Sequence, residues 1–169
     1  RDVNAAIALE GRRATVRRFD ATLGGQPVTL AGQVGWTMDG DHEFALRVAG
    51  KNLSLVRDPD LFLRADVDLR LDKAWGETAR VSGDVQLQRS LLFKDFDSLI
   101  GLDRERPAQR PPFFSVAQPP FADWRLDVNV KGDRFLNVFS PAFKGEVSAG
   151  LQLRGTLREP LAVGAVTVD

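Results

Sequence analysis

Hydrophobic residues in this chain recur every second position. Phe44, Leu46 and Val48 are interleaved with Glu43, Ala45 and Arg47, and Ala65, Val67, Leu69 and Leu71 with Arg64, Asp66, Asp68, Arg70 and Asp72. Trp124, Leu126, Val128 and Val130 alternate with Arg125, Asp127, Asn129 and Lys131. Val147, Ala149, Leu151 and Leu153 alternate with Glu146, Ser148, Gln152 and Arg154. In an extended strand this period sends successive side chains to opposite faces, giving one apolar face and one mostly polar face. That is the pattern of half-buried antiparallel strands. Weaker runs cover Ile7–Leu9, Ala14 with Val16, Val28–Trp36, and Val81 through Val85 to Leu87. No amphipathic helix of ordinary length is visible, so the fold expected is all-β.

Turns fit the same reading. Asp39-Gly40 between two alternating runs signals a hairpin at 38–42. Toward the C-terminal end, Leu151/Leu153 and Val166/Val168 flank a break made of Gly155, Thr156 and Pro160, with Gly164 before the return run. This reads as strand, turn, strand, with glycine permitting backbone that other residues resist. An internal repeat aligns Leu46-Arg-Val-Ala-Gly50 with Val128-Asn-Val-Lys-Gly132, 82 residues on. The same offset matches Leu53 with Phe135, Val56 with Val138, Pro59 with Pro141, and Leu69/Leu71 with Leu151/Leu153. After a slip of one residue, Gly83 and Val85 match Gly164 and Val166. A sheet lengthened by adding units follows from such a repeat.

The chain divides into a first β segment over 1–96, a proline-rich loop over 97–120, and a second β segment over 121–169 continuous with the first. Within the loop, Leu99-Ile-Gly-Leu102 reads as a helical turn capped by Asp97 or Ser98. The stretch from Arg104 to Phe114 is too proline-rich for a strand or helix interior and reads as a linker. Arg104, Arg106 and Arg110 are the residues through which it could touch a partner or a headgroup. Both ends of the sequence fall inside strand patterns, the mark of a segment of a larger protein.

Composition excludes several functions. Lys+Arg and Asp+Glu both number 23, which argues against nucleic acid as a partner. There is no cysteine, so thiol chemistry, disulfides and thiolate metal sites are absent. His42 is the only histidine and stands beside a turn, so no histidine metal cluster or Cys-His relay can form. The carboxylate pairs Asp39/Asp41, Asp58/Asp60 and Asp95/Asp97 are candidates for calcium or glycosidase chemistry. Turns and bends account for the first two, since aspartate hydrogen-bonds locally there. Gly24-Gly25 lacks the helix and lysine of a phosphate loop, and Arg12-Arg13 and Arg17-Arg18 read as solvated positions. No enzyme, no metal and no cofactor are therefore expected.

What remains is apolar strand surface, with 11 phenylalanines, three tryptophans and no tyrosine. Such a face must be covered: by a second sheet, as in a sandwich, or by apolar ligand if the sheet stays open as a trough.

The stretch Leu151-Gln-Leu-Arg-Gly-Thr-Leu-Arg-Glu-Pro-Leu-Ala-Val-Gly-Ala-Val166 resembles the L-x-L-x-G-T-x-x-x-P-x-x-x-G-x-V signature of the TamB-type branch of the AsmA-like proteins. Pro119 to Gly132 is similar to the strand that enters their last repeat. Gly83 to Phe96 is similar to their G-x-V-x-L-x-R-G-x-Y segment, with Ser90 and Leu92 in place of the glycine and tyrosine. The resemblance spans most of residues 26–169. It implies an elongated antiparallel sheet folded lengthwise into an open U, the β-taco; the strand pattern by itself leaves the β-sandwich as the alternative fold. It further implies a periplasmic stretch of a protein anchored in the inner membrane of a diderm bacterium. The groove would carry phospholipid toward the outer membrane, linked to outer-membrane assembly with a TamA-like barrel. The alternative role is a scaffold that binds client β-strands. The groove residues implied are Phe44, Leu46, Val48, Val67, Leu69, Leu71, Val85, Leu87, Trp124, Leu126, Val128, Val130, Val147, Leu151 and Leu153.

Overall fold

A computed structural model of the protein describes residues 4–57, 60–93, 115–139 and 144–169. The described residues contain no helix. They form nine strands: β1 (Asn4–Glu10), β2 (Arg13–Leu23), β3 (Gln26–Trp36), β4 (His42–Arg57), β5 (Leu61–Lys73), β6 (Arg80–Leu92), β7 (Arg125–Phe139), β8 (Lys144–Gly155) and β9 (Pro160–Val168). All nine lie in one open sheet, in chain order, with β1 and β9 at its two edges. The β-sandwich is therefore not what forms. Asp58, Pro59, Asp95, Asp97, Pro141, the turn at 99–102 and Arg104, Arg106 and Arg110 lie outside the described residues.

Tight turns close the β3–β4 and β8–β9 hairpins. Between β3 and β4, Thr37 N–H donates to Asp41 O at 2.9 Å, and Gly40 takes the left-handed φ of +85°. Gly155 ends β8 at φ +85°; there a Cβ would stand 2.6 Å from Glu159 O, so no other residue fits the turn. Pro160, which has no N–H to give a ladder, sits at the first position of β9.

One pairing corrects the antiparallel expectation. β6 and β7 run parallel, with Val81 opposite Leu126, Gly83 opposite Val128 and Val85 opposite Val130. Alternation reports which face a side chain takes but not strand direction. A parallel neighbour needs a crossover of a dozen or more residues, and the proline-rich connection between Leu92 and Arg125 supplies that length.

The 82-residue repeat is structural. Asn52 and Arg134 are the non-glycine residues that take positive φ among those described, at 52° and 39°. Each sits in a register shift, between Gly50 and Leu53 on β4 and between Gly132 and Leu136 on β7. Asn52 N–H donates to Asp66 Oδ1 at 2.7 Å, and Arg134 N–H donates to Ser148 Oγ at 2.8 Å. Asp66 and Ser148 stand at the same offset. Leu53 folds over Gly50 and Phe135 over Gly132, where an added Cβ would meet them at 2.9 and 2.6 Å. β4–β5–β6 and β7–β8–β9 are thus two copies of one three-strand unit.

Candidate functional site: one apolar face of the sheet

Residues opposite one another across a ladder point to the same side, so the register assigns the faces. One rung runs Phe19, Leu30, Val48, Leu69, Gly83, Val128, Leu153, Ala162 across β2 to β9. Beside it runs Val28, Gly50, Val67, Val85, Val130, Leu151, Gly164. A third joins Val16, Gly32, Leu46, Leu71, Val81 and Leu126. Phe44 pairs with Val34 and Lys73, Leu87 with Ala65, and Val147 with Leu136. The strand residues nominated from the sequence thus share one face. Trp124 falls one position before β7 and reaches that face from the end of the connection.

Glycines in these rungs let strands approach closely. Gly32, Gly83 and Gly164 have φ of +142°, +128° and +150°. A Cβ there would lie 2.0 Å from Ala45 O, 2.2 Å from Asp68 O and 2.1 Å from Gly150 O. Each faces a leucine (Leu46, Leu69 or Leu151) and abuts the carbonyl preceding it. This device is used once in each of three hairpins. It removes a side chain from the rung and so forms a shallow dip in the apolar surface.

The two margins of the face are packed differently. At the end where β6 and β7 finish, Leu92, Phe135, Leu136, Val138 and Val147 form a buried cluster with Leu61, Leu63, Leu87 and Ala149 against it. At the other end the Phe44 and Trp124 rings lie 5.4 Å apart, and Phe121 meets Trp124 edge-on at 5.1 Å. Phe44 lies on β4 and Trp124 just before β7, with β5 and β6 between them, so these rings bridge over the sheet. The segment carrying them is fastened by Arg125 N–H to Ala79 O at 2.8 Å, Leu157 N–H to Trp124 O at 3.0 Å and Arg158 N–H to Ala122 O at 2.9 Å. Between the margins Val67, Leu69, Leu71, Val85, Val130, Leu151 and Leu153 are half-buried.

From β4 to β8 the opposite face is mostly polar and knitted strand to strand, while β9 carries exposed Leu161 and Val163 there. Arg47 holds Asp68 through both guanidinium and carboxylate atoms, which raises the arginine pKa and lowers that of the aspartate. Asn129 Nδ2 donates to Asp84 Oδ1 at 3.2 Å, and Gln152 Nε2 to Asp127 Oδ1 at 2.9 Å. Asp66 accepts from Gln88 Nε2 at 2.8 Å.

Asp41 stands at the Phe44 margin. It accepts from Lys73 Nζ at 2.9 Å, from His42 N–H at 2.8 Å and from Gly76 N–H at 2.9 Å, tying two turns together. The Lys73 ammonium first, then the two amides, hold its pKa down to about 2. Lys73 enters the apolar rung of Phe44, but its charge is drawn out to this carboxylate. His42 is exposed, with its ring stacked 6.1 Å from Phe44. Among the described residues no group of three His, Asp or Glu side chains is placed to hold a metal.

Sequence reasoning missed Leu92, Phe135 and Val138 in the buried cluster, and Val28, Leu30, Val34 and Val81 in the rungs. The weaker runs held the signal for the β3 residues and Val81. No family model, curated protein or solved structure matches the chain.

Proposed function

We propose that the apolar face is a groove that carries phospholipid acyl chains, in a periplasmic stretch of a protein linking the inner and outer membranes. The observation that carries this reading is the set of continuous apolar rungs running across successive strands with no second layer among the described residues. Strands lie about 4.8 Å apart, so the longest rung, from β2 to β9, gives a path of about 34 Å. An acyl chain lying along a rung passes from strand to strand and meets only hydrocarbon and glycine. Burial of a methylene is worth about 0.8 kcal/mol, so a whole chain gains roughly 10 kcal/mol before ordering costs. A path of similar rungs without a deep polar anchor lets the chain slide.

The bulges at Asn52 and Arg134 support a lengthwise U, because they bend β4 and β7 at equivalent positions of the two repeated units. The resemblance to the TamB-type AsmA-like proteins adds the compartment, the inner-membrane anchor and a TamA-like barrel as partner in outer-membrane assembly. The test is native mass spectrometry of the protein purified from a diderm host. Co-purified phospholipid, lost on Leu69→Glu, is the expected result; lipid-free protein from gentle, detergent-free preparation overturns the reading.

A further inference from the structure

On the face opposite the groove, β6, β7 and β8 bring three arginines to one place. Val81, Leu126 and Leu153 belong to the groove rungs, so their chain neighbours Arg80, Arg125 and Arg154 take the other side. Arg80 and Arg125 stand directly opposite each other across the β6–β7 ladder, and Arg125 also bridges to Thr156. With Arg154, Asp127, Gln152 and Thr156 they line an open hollow of about 590 Å³. Like charges facing each other across a ladder repel. Yet neither Arg80 nor Arg125 has an ion pair or a side-chain hydrogen bond among the described residues. Asp72, across from Arg80 on β5, lines a separate hollow with Arg13 and Lys73. Asp127 accepts from Gln152 Nε2 at 2.9 Å, and Gln152 Oε1 accepts from Arg154 at 2.7 Å, so the carboxylate among these residues is engaged by an amide. Thr156 Oγ1 accepts from Glu159 N–H at 3.1 Å, which leaves its hydroxyl hydrogen to donate.

We infer that this hollow binds a phosphomonoester. Three guanidinium groups against one carboxylate give it a charge of +2, and a phosphomonoester carries about −1.5 to −2 at pH 7. Its oxygens accept from several donors at once, and the planar guanidinium fork meets them two at a time. An anion held between Arg80 and Arg125 replaces their mutual repulsion with a shared attraction, and the Thr156 hydroxyl adds a neutral donor. A single carboxylate would balance only half of the charge. The same phosphate chemistry ends a soluble metabolite or a lipid headgroup, and the two differ only in what the phosphate is attached to. The hollow lies on the other side of the sheet from the acyl groove, so this inference stands whether or not the groove carries lipid.

The test is an NMR titration of the whole chain with inorganic phosphate, at an ionic strength held constant with chloride. Saturable shifts are expected at the Nε–H groups of Arg80, Arg125 and Arg154 and at the Thr156 amide. The double variant Arg80→Gln/Arg125→Gln should weaken binding at least tenfold, whereas Arg17→Gln, an exposed arginine on β2, should leave it unchanged. Urea unfolding separates a binding role from a structural one. Phosphate should raise the midpoint of the wild type and not that of the double variant, and in chloride alone the double variant should be no less stable than the wild type. Competition then assigns the source, using glycerol 3-phosphate and monomeric dihexanoylphosphatidic acid, which share the phosphomonoester and differ in acyl chains. Displacement of inorganic phosphate by both at similar concentration assigns the site to the phosphate alone; displacement by the lipid at a tenfold lower concentration assigns it to a headgroup. Shifts that fail to saturate, or an affinity that Arg17→Gln lowers as much as the double variant does, overturn the inference.

Discussion

Phe44 and Trp124 stand with ring centroids 5.4 Å apart although β5 and β6 run between β4, which carries Phe44, and β7, which Trp124 precedes. The contact fastens the end of the β6–β7 connection over one margin of the apolar face. Tilted aromatic pairs add about 0.5–1.5 kcal/mol beyond area burial. Trp124→Ala is expected to cost about 2–3 kcal/mol in urea unfolding, because the half-buried ring also loses Phe121. Phe44→Leu should cost less, about 1 kcal/mol, since it keeps most of the apolar volume.

Acid should weaken the staple at Asp41. Its folded pKa is lowered to about 2 from an ordinary 3.8, so the carboxylate contributes stability above the unfolded value and loses it as pH falls through the folded one. Urea midpoints of the wild type and Asp41→Asn are expected to differ at pH 7 and to converge near pH 2. A gap independent of pH would contradict the role of the charge.

Glycine positions should separate sharply by what a Cβ would meet. Gly83→Ala and Gly164→Ala force a methyl group against a backbone carbonyl at 2.2 and 2.1 Å, as well as an unfavourable φ, and should cost about 3 kcal/mol or more. Gly76→Ala, at φ +69° with open space around it, should cost about 1 kcal/mol. Gly150 has neither positive φ nor a neighbour within 4 Å, and alanine there should stabilise by about 0.5 kcal/mol. Chemical denaturation of the four variants checks the order.

The two bulges should respond alike. Ser148→Ala removes the acceptor of Arg134 N–H and should cost about 1 kcal/mol. Asp66→Ala strands both Asn52 N–H and Gln88 Nε2 and should cost about 2 kcal/mol. Hydrogen exchange at the Asn52 and Arg134 amides should accelerate in the matching variant alone.

The strands of the fold were legible because Leu69 and Asp68, or Val128 and Asn129, differ so plainly in polarity that each neighbour pair declares its faces. The repeat was legible through Gly50/Gly132 and Gly83/Gly164, whose spacing survives a one-residue slip. Strand direction was not: nothing in Leu126-Asp-Val-Asn-Val130 distinguishes a parallel neighbour from an antiparallel one. Nor was the buried cluster, because the left-handed turn at Arg134 breaks the period of two and lets Phe135 and Leu136 both be buried. Asp41 reads from sequence as a turn residue, while its bonds to Lys73 and Gly76 join positions more than 30 residues away.

The central claim is that acyl chains lie on the rung face and not on the polar one. The most direct measurement places a photo-crosslinking residue at Leu69 or Val128 and, for comparison, at the adjacent Asp68 or Asn129, in protein expressed in a diderm host. Phospholipid adducts from positions 69 and 128, at least several-fold above those from 68 and 129, are predicted. Equal yields from the two faces would contradict a lipid-carrying groove.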